Sequence, residues 1–260
     1  MRGTSHPRRN SILVAGLSAI VFCVVLTWHY WRVPVIVLGP MVQQVSTDSF
    51  AVFCQVHPAT EQIQADVSAD GRTAGTTTIT PQKLGRCAIT FTGLQPGRPY
   101  EYRITSGGRV LARHRVQTAP ADSRPFRFLA FGDSGTGDWA QNSLVDPMIS
   151  YRPDLIVHTG DLIYPCGRLE ENPRKFFQPY AALLATAPIY PCLGNHEYKL
   201  PGVEPVAESF ILPPNGPAGQ NLGRNYWFDY GNARFVSLDG NNPEVFFQNI
   251  AAPWIDEVLR

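Results

Sequence analysis

The chain has 260 residues, of which 44% are hydrophobic and 17% are charged, and this composition excludes an intrinsically disordered protein. The formal net charge is +1, so we expect no basic surface for binding nucleic acid. The length suits one or two domains, and the 23 prolines and 22 glycines indicate many turns and long loops.

The first element in chain order is an apolar segment at residues 11–31, which follows three arginines. About 20 apolar residues suffice to cross a membrane as a helix, and the preceding positive charges favour an N-terminus that stays inside. We therefore predict a transmembrane signal anchor within residues 1–34. A cleaved signal peptide is the main alternative, although no A-x-A-like cleavage site follows, and a buried core helix is a further one. The first two interpretations predict export of residues 33–260: the chain is either anchored with these residues outside the cytoplasm or secreted.

Residues 35–118 have the pattern of several short β-strands separated by turns. From Phe50 to Val56 the side chains alternate, and Phe50, Val52, Cys54 and Val56 fall on one face. Strands at this spacing predict an all-β sandwich. The turn Leu94-Gln95-Pro96-Gly97-Arg98-Pro99-Tyr100 resembles the LxPGxxY turn of fibronectin type III domains. That resemblance implies that the Tyr100 hydroxyl bonds back to the upstream backbone.

After a linker at 119–125 the pattern changes to that of an α/β domain over 126–260. The segments FRFLAF, DLIVH and PIYPC predict three strands, and the first of them (126–131) is a near-continuous apolar run typical of a strand buried on both faces. Helical segments are predicted at 139–151, where Pro147 weakens the second half, and from Asn172 as N-cap to about residue 185. This alternation predicts a parallel sheet.

The remaining segment begins with a loop at 199–224 that is rich in proline and glycine. Two further strands, NYWFDYG and ARFVSLDG, follow it. A final helix begins near Pro253, and the sequence stops before any cap residue. We therefore expect a domain that is truncated at its C-terminal end, with only the first half of its layers present.

Three short motifs follow the three predicted parallel strands: Gly132-Asp133-Ser134-Gly135, Gly160-Asp161-Leu162-Ile163-Tyr164 and Gly194-Asn195-His196-Glu197. Ligands bind at the carboxyl ends of the strands in open α/β sheets, so we expect these side chains to share one site. Carboxylate, amide and phenolate oxygens suit hard metal ions. Such ligands from neighbouring loops are typical of two metals that bind phosphate oxygens.

In this order the motifs resemble the first three of the five motifs of purple acid phosphatases, a branch of the calcineurin-like metallophosphoesterases. Most metallophosphoesterases have a histidine where Gly135 stands, and Tyr164 fits the purple acid phosphatase pattern instead. The resemblance implies that Asp133 and Tyr164 bind Fe(III), that Asp161 bridges to a divalent Zn(II), Mn(II) or Fe(II), and that Asn195 binds the divalent ion. It also implies that His196 contacts the substrate phosphate and is not a ligand.

The sequence departs from this family pattern in its second half. The fourth and fifth motifs of the family supply three histidine ligands, whereas none of the six histidines of this chain lies after His196. His158 precedes the second motif, and we interpret it as a buried strand residue. Each metal would therefore lack protein ligands, as expected for a truncated chain.

Four cysteines follow the apolar segment, and three pairings of them are possible. No CxxC or zinc-finger spacing is present. The fibronectin-like resemblance makes the strands of Cys54 and Cys87 neighbours, which permits a disulfide, with two buried thiols as the alternative. A second disulfide is predicted between Cys166 and Cys192, because these residues flank the second and third motifs.

The resemblance implies an exported acid phosphatase that hydrolyses small phosphate monoesters, with a metal-bound hydroxide as nucleophile. One alternative is a metallophosphoesterase that acts on diesters or nucleotides. The other is an inactive surface protein that binds partners through its fibronectin-like domain. Apart from the phosphorylated substrate, the membrane is the one partner that the sequence predicts, through the N-terminal helix.

Overall fold

The computed structural model describes residues 35–199, 209–219, 223–241 and 247–260. The predicted signal anchor at 1–34 lies outside these residues. Within the described ranges, none of the helices has the length and apolar character that crossing a bilayer requires.

Residues 36–117 form two antiparallel sheets that face each other. The first contains β1 (Ile36–Gln43), β2 (Phe50–Val56) and β5 (Arg86–Phe91) in the order β1-β2-β5. The second contains β3 (Ile63–Ala69), β4 (Arg72–Ile79), β6 (Pro99–Ser106) and β7 (Arg109–Gln117) in the order β4-β3-β6-β7. The alternating side chains of these strands fill a shared core, so the predicted β-sandwich is confirmed.

The turn before β6 contains the predicted tyrosine corner. Tyr100 is buried, and its hydroxyl accepts a hydrogen bond of 2.8 Å from the backbone N–H of Gln95. This bond runs five residues back along the chain, as the fibronectin-like turn predicts. The corner therefore fixes the entry of β6 into the sandwich.

The second region contains a parallel sheet of three described strands: β8 (Phe128–Phe131), β9 (Leu155–His158) and β10 (Ile189–Pro191), in the order β10-β9-β8. Both pairings are parallel, which confirms the predicted β-α-β-α-β arrangement. Strands β11 (Tyr226–Tyr230) and β12 (Ala233–Ser237) form an antiparallel hairpin. The Tyr226 hydroxyl ties this hairpin to β10 by donating to the Pro191 carbonyl over 2.7 Å.

Each of the two predicted helical segments consists of two pieces. Helices α1 (Trp139–Ser143) and α2 (Val145–Tyr151) meet at Leu144, so Pro147 lies in the first turn of α2, where its missing N–H costs no hydrogen bond. A π-helical segment (Pro173–Phe177) leads into α3 (Gln178–Leu184), and a second one (Phe247–Ala251) leads into α4 (Ala252–Val258). Short 3-10 turns lie at Lys83–Gly85 and Leu169–Glu171.

Two sequence predictions about this region were wrong. Strand β8 is not buried on both faces: it lies at the edge of the three-stranded sheet, and Phe128 is 45% exposed. Asn172 does not cap the helix that follows it. Its side-chain amide donates to the Ser209 hydroxyl instead, at 3.0 Å, so a long-range hydrogen bond replaces the local one.

The sandwich and the α/β region share a buried apolar boundary. Strand β2 is buried on both faces, because Phe53 points away from the sandwich core and joins a cluster with Ile156, Phe176 and Phe177. The rings of Phe53 and Phe177 lie 6.2 Å apart. The Tyr102 hydroxyl also donates to the carbonyl of Ala185 at 2.8 Å across this boundary. The sandwich therefore supports the layer beneath the predicted site.

Candidate metal centre

The three predicted motifs form three loops at one edge of the parallel sheet. The loop after β8 contains Asp133, the loop after β9 contains Asp161 and Tyr164, and the loop after β10 contains Asn195 and His196. Backbone hydrogen bonds hold the first two loops together, because the Asp133 N–H donates to the Gly160 carbonyl at 3.1 Å. The Tyr164 N–H likewise donates to the Gly135 carbonyl at 2.8 Å.

The loops approach so closely that two glycines have no room for a side chain. A Cβ atom at Gly135 would lie 1.9 Å from the Leu162 carbonyl oxygen, and one at Gly194 would lie 2.2 Å from the Asp161 nitrogen. Backbone atoms cannot yield as flexible side chains do. Gly135 is therefore required by the close packing of the first two loops, and Gly194 by that of the second and third loops.

Both carboxylates of the site are on residues with left-handed backbone. Asp133 has φ = 53° and Asp161 has φ = 55°. Aspartate tolerates this conformation better than most residues, but at a cost that the surrounding structure must offset. The hydrogen bonds between the loops supply that support.

Three side-chain oxygens converge where a cation could bind. The Tyr164 hydroxyl lies 2.7 Å from Oδ1 of Asp133 and 2.8 Å from Oδ2 of Asp161. A phenol has one proton to donate, so it cannot satisfy both carboxylates at once. Partial burial and the hydrogen bonds to Asp133 and Asp161 raise the pKa of Tyr164 above its usual value. A metal that binds these oxygens would displace the phenol proton, which calls for a strongly acidic ion such as Fe(III).

Asn195 and His196 follow in the third loop. Asn195 is exposed at the turn, and its backbone carbonyl accepts from the Tyr198 N–H at 3.3 Å. The backbone N–H of His196 donates to Oδ1 of Asp161 at 2.9 Å, and its Nε2 lies 3.8 Å from Oδ2 of the same carboxylate. The predicted catalytic histidine therefore lies directly beside the predicted bridging ligand.

The imidazole of His196 is oriented by the loop after β9. Its Nδ1 lies 2.6 Å from the Pro165 carbonyl oxygen, so Nδ1 carries the proton and donates. Its Nε2 is then free to accept, and the Lys199 ammonium lies 2.8 Å from it. Sequence reasoning missed Lys199, although its cationic side chain three residues after His196 is compatible with phosphate binding.

Within the described ranges, no group of three or more His, Cys, Asp or Glu side chains is arranged to hold a metal ion. The predicted centre therefore depends on the Tyr164 phenol and the Asn195 amide in addition to the two carboxylates. All of these donors are oxygens, and this set fits hard or borderline cations.

His158 is a buried strand residue, as the sequence predicted. It is fully buried at the end of β9, and its Nδ1 accepts from the Gly160 N–H at 3.3 Å. Its Nε2 therefore carries the proton and donates to the Ser134 hydroxyl at 2.9 Å. Burial lowers the pKa of His158 to about 3, so the ring is neutral and connects the first two loops.

Glu197 is a buried residue of the site whose position the sequence did not reveal. It is 2% exposed, and its carboxylate accepts hydrogen bonds from four backbone N–H groups in two loops. Burial raises the pKa of Glu197, and the N–H donors oppose that effect. Every residue except proline has a backbone N–H, so the sequence gives no sign of which ones bind Glu197. The only available signal was the glutamate itself, directly after the Gly194-Asn195-His196 motif.

The four cysteines are free thiols in the structure. Cys54 and Cys87 are opposite each other in the register of β2 and β5, so the proposed disulfide between them stays a prediction that their positions permit. The sulfur of Cys192 lies 3.1 Å from the Ser237 hydroxyl. A Cys166–Cys192 disulfide also stays a prediction.

Comparisons with known proteins agree with the fold. The chain is similar to a solved structure of PhoD, at 17% identity and a TM-score of 0.59 over 77% of this chain and 51% of that chain. It is also similar to the purple acid phosphatase PPD1 from yellow lupin (Lupinus luteus) seeds, at 18% identity and a TM-score of 0.63 over 84% of this chain and 48% of that chain. The chain thus spans about half the length of these two proteins. No curated protein sequence matches it.

A family model described as calcineurin-like phosphoesterase matches residues 126–258, which is about half of the chain. The match begins just before β8 and contains all three loops of the site. The chain therefore belongs to the calcineurin-like phosphoesterase family, with a β-sandwich ahead of the family domain.

Proposed function

We propose that this protein hydrolyses phosphate monoesters at a dinuclear metal centre, as an acid phosphatase of the purple type. Family membership supports phosphoester hydrolysis in general. The finer assignment is carried by one observation: the Tyr164 hydroxyl lies within hydrogen-bonding distance of both Asp133 and Asp161. A phenolate in this position, together with Gly135 in place of a histidine, favours a ferric ion as one of the two metals.

In this proposal Asp133 and Tyr164 hold Fe(III), Asp161 bridges, and Asn195 holds a divalent ion of zinc, manganese or iron. Such a metal pair supplies an acidified water and neutralises charge on phosphate oxygens. The protein's own contribution is to hold the ligand oxygens of Asp133, Asp161 and Tyr164 close together. The hydrogen bonds between the loops and the close contacts at Gly135 and Gly194 keep them there.

The side chains of His196 and Lys199 lie next to the proposed metal ligands, where a substrate phosphate would bind. His196 holds its proton on Nδ1 against the Pro165 carbonyl and presents Nε2 beside Asp161. The Lys199 ammonium lies next to that nitrogen and is exposed, so an arriving phosphate can take its hydrogen bonds. We infer that the Lys199 ammonium donates to the phosphate group of the substrate, and that Nε2 of His196 accepts from a protonated oxygen of that group.

The proposed location is outside the cytoplasm, either anchored through residues 11–31 or secreted after cleavage. It rests on the apolar segment and the arginines before it. Protease treatment of intact cells is the measurement. Degradation of residues 35–260 in intact cells supports the anchored form, and complete protection of those residues contradicts both forms.

The test of function compares two substrates. The full-length protein is loaded with Fe(III) and Zn(II) and assayed on p-nitrophenyl phosphate and on bis(p-nitrophenyl) phosphate. The proposal predicts faster hydrolysis of the monoester. A preference for the diester would replace it with a phosphodiesterase, and metal-loaded protein without activity on either ester would contradict it.

Asp161→Asn is the site variant for this assay. It removes one carboxylate charge from the centre at nearly constant shape, so the affinity for Zn(II) and the activity should fall by about a hundredfold or more. Asp70→Asn is the matched control, because Asp70 lies on the exposed surface of the sandwich. Equal losses in the two variants would place the metal elsewhere.

A further inference from the structure

The buried carboxylate of Glu197 links the second and third loops of the site. Its Oε2 accepts from the Asp161 N–H at 3.0 Å and from the Gly194 N–H at 2.8 Å. One oxygen atom therefore joins the loop after β9 to the loop after β10. The two backbones are already in close contact, because a Cβ at Gly194 would lie 2.2 Å from the Asp161 nitrogen.

The other oxygen of Glu197 holds the backbone that continues from Asp161. Its Oε1 accepts from the Leu162 N–H at 2.8 Å and from the Ile163 N–H at 3.3 Å. The N–H groups of three consecutive residues thus point toward one carboxylate. Asp161, the first of the three, has a left-handed backbone conformation, which is common where successive N–H groups surround an anion. Without an acceptor, these buried donors would lose hydrogen bonds that water cannot replace.

We propose that Glu197 is a positioning residue that fixes Asp161 relative to Asn195 and His196. Its carboxylate does not point to the converging oxygens of the centre, since both of its oxygens are occupied by backbone donors. It acts by holding the Asp161 backbone, while the Asp161 side chain receives the Tyr164 hydroxyl and the His196 N–H. The inference deepens the proposed function and rests on it for the identity of the metal ligands.

The geometry specifies what an isosteric substitution does. In Glu197→Gln one oxygen becomes an NH2 group, which is a donor. Whichever way the amide is turned, two backbone N–H groups then face a donor and lose their acceptor. Either the Asp161 and Gly194 pair or the Leu162 and Ile163 pair is released. Glu197→Asp keeps the charge but is one methylene shorter, so it cannot reach all four donors.

The first readout is hydrogen exchange of these four backbone amides in the folded chain. Hydrogen bonds to a charged acceptor are strong, so we expect exchange of at least one of the two pairs to become about tenfold faster or more in Glu197→Gln. Glu61→Gln, on the exposed surface of the sandwich, is the control and should leave these amides unchanged. Unchanged exchange in Glu197→Gln would overturn the proposal.

The second readout is Zn(II) affinity by calorimetry, counting only the binding that Asp161→Asn abolishes. Loss of a group that supports a ligand weakens metal binding by about 10–100-fold, and we expect this range for Glu197→Gln and a smaller loss for Glu197→Asp. A lowered unfolding midpoint with unchanged Zn(II) affinity would show a merely structural role and overturn the proposal. Should Glu197→Gln not fold, Glu197→Asp is compared with wild type by the same two readouts.

The two readouts separate this inference from the proposed function. If wild-type protein binds no Zn(II) at the Asp161 site, the proposed function fails, while hydrogen exchange still tests the link between the loops. If wild-type protein binds Zn(II) and both readouts of the variants equal those of wild type, the role of Glu197 fails while the proposed function stands.

Discussion

Tyr100 in the sandwich and Tyr164 in the α/β region show two uses of the same side chain. The side chain of Tyr100 is buried, and its hydroxyl accepts from the Gln95 N–H within its own turn. The Tyr164 hydroxyl meets two carboxylates with one proton, in a loop that is open to solvent on one side. At Tyr100 one donor meets one acceptor, whereas at Tyr164 two carboxylates share one phenol proton and leave an excess of negative charge that a cation would neutralise.

This difference separates a residue that holds a fold from one that serves a site. Removing the Tyr100 hydroxyl should cost stability and leave metal binding intact. Removing the Tyr164 hydroxyl should weaken metal binding and leave the stability of the fold nearly unchanged. Substitutions of Phe53, which joins the two regions, and of His158, which lies beneath the site, also separate effects on stability from effects on the site.

The largest expected effect is on the boundary between the regions. Phe53→Ala removes a ring that packs against Phe177 between the sandwich and the α/β region. Loss of a buried phenylalanine should lower the free energy of unfolding by about 3–5 kcal/mol. Chemical denaturation measures it. Phe128→Ala is the control, since that ring is 45% exposed and should cost about 1 kcal/mol. Equal losses would mean that the two regions do not support each other.

The next effect is a pH dependence from His158. Burial holds its pKa at about 3, below the ordinary 6.5, so the unfolded chain takes up a proton that the folded chain refuses. The free energy of unfolding should therefore decrease as the pH falls from 6.5 toward 3, by at most about 1.4 kcal/mol per pH unit from this residue. Denaturation at several pH values measures the slope.

His158→Gln should reduce this slope, because glutamine keeps a donor and an acceptor but does not titrate. His57→Gln, in the turn after β2, should preserve the slope. The interpretation of His158 as a neutral link between the first two loops is wrong if His158→Gln and wild type show the same pH dependence.

A smaller effect is expected at the tyrosine corner. Tyr100→Phe leaves the ring in place and deprives the Gln95 N–H of its acceptor, so the free energy of unfolding should fall by about 1 kcal/mol. Zn(II) affinity should be unchanged, because the corner lies in the sandwich. A change in affinity with unchanged stability would reverse the contrast between the two tyrosines.

The sandwich could be predicted from the sequence because its signals are local. Phe50, Val52, Cys54 and Val56 alternate within one strand, and the Tyr100 corner closes within six residues. The parallel pairing of β8, β9 and β10, and the proximity of the loops that contain Asp133, Asp161 and Tyr164, also followed, since each motif comes shortly after a strand.

Most of the features that escaped prediction depend on partners that are distant in the sequence. Strand β8 has an apolar sequence, but its position at the sheet edge decides that Phe128 is exposed. Asn172 is a residue type that often caps helices, yet its side chain donates a hydrogen bond to the Ser209 hydroxyl instead. Glu197 binds backbone N–H groups, which every sequence contains. The sequence pattern therefore suggested the side chains of the proposed site, while the residue that links its loops required the structure.

The most direct test of the proposed centre is the absorption spectrum of Fe(III)-loaded protein. A phenolate bound to ferric ion gives a charge-transfer band in the visible range, so the wild-type chain should be coloured. Tyr164→Phe should bind Fe(III) more weakly and should show no band even when it is loaded with iron, whereas the exposed control Tyr151→Phe should retain the band. A visible band that persists in Tyr164→Phe, or iron-loaded wild-type protein without one, would contradict the assignment of Tyr164 as a metal ligand.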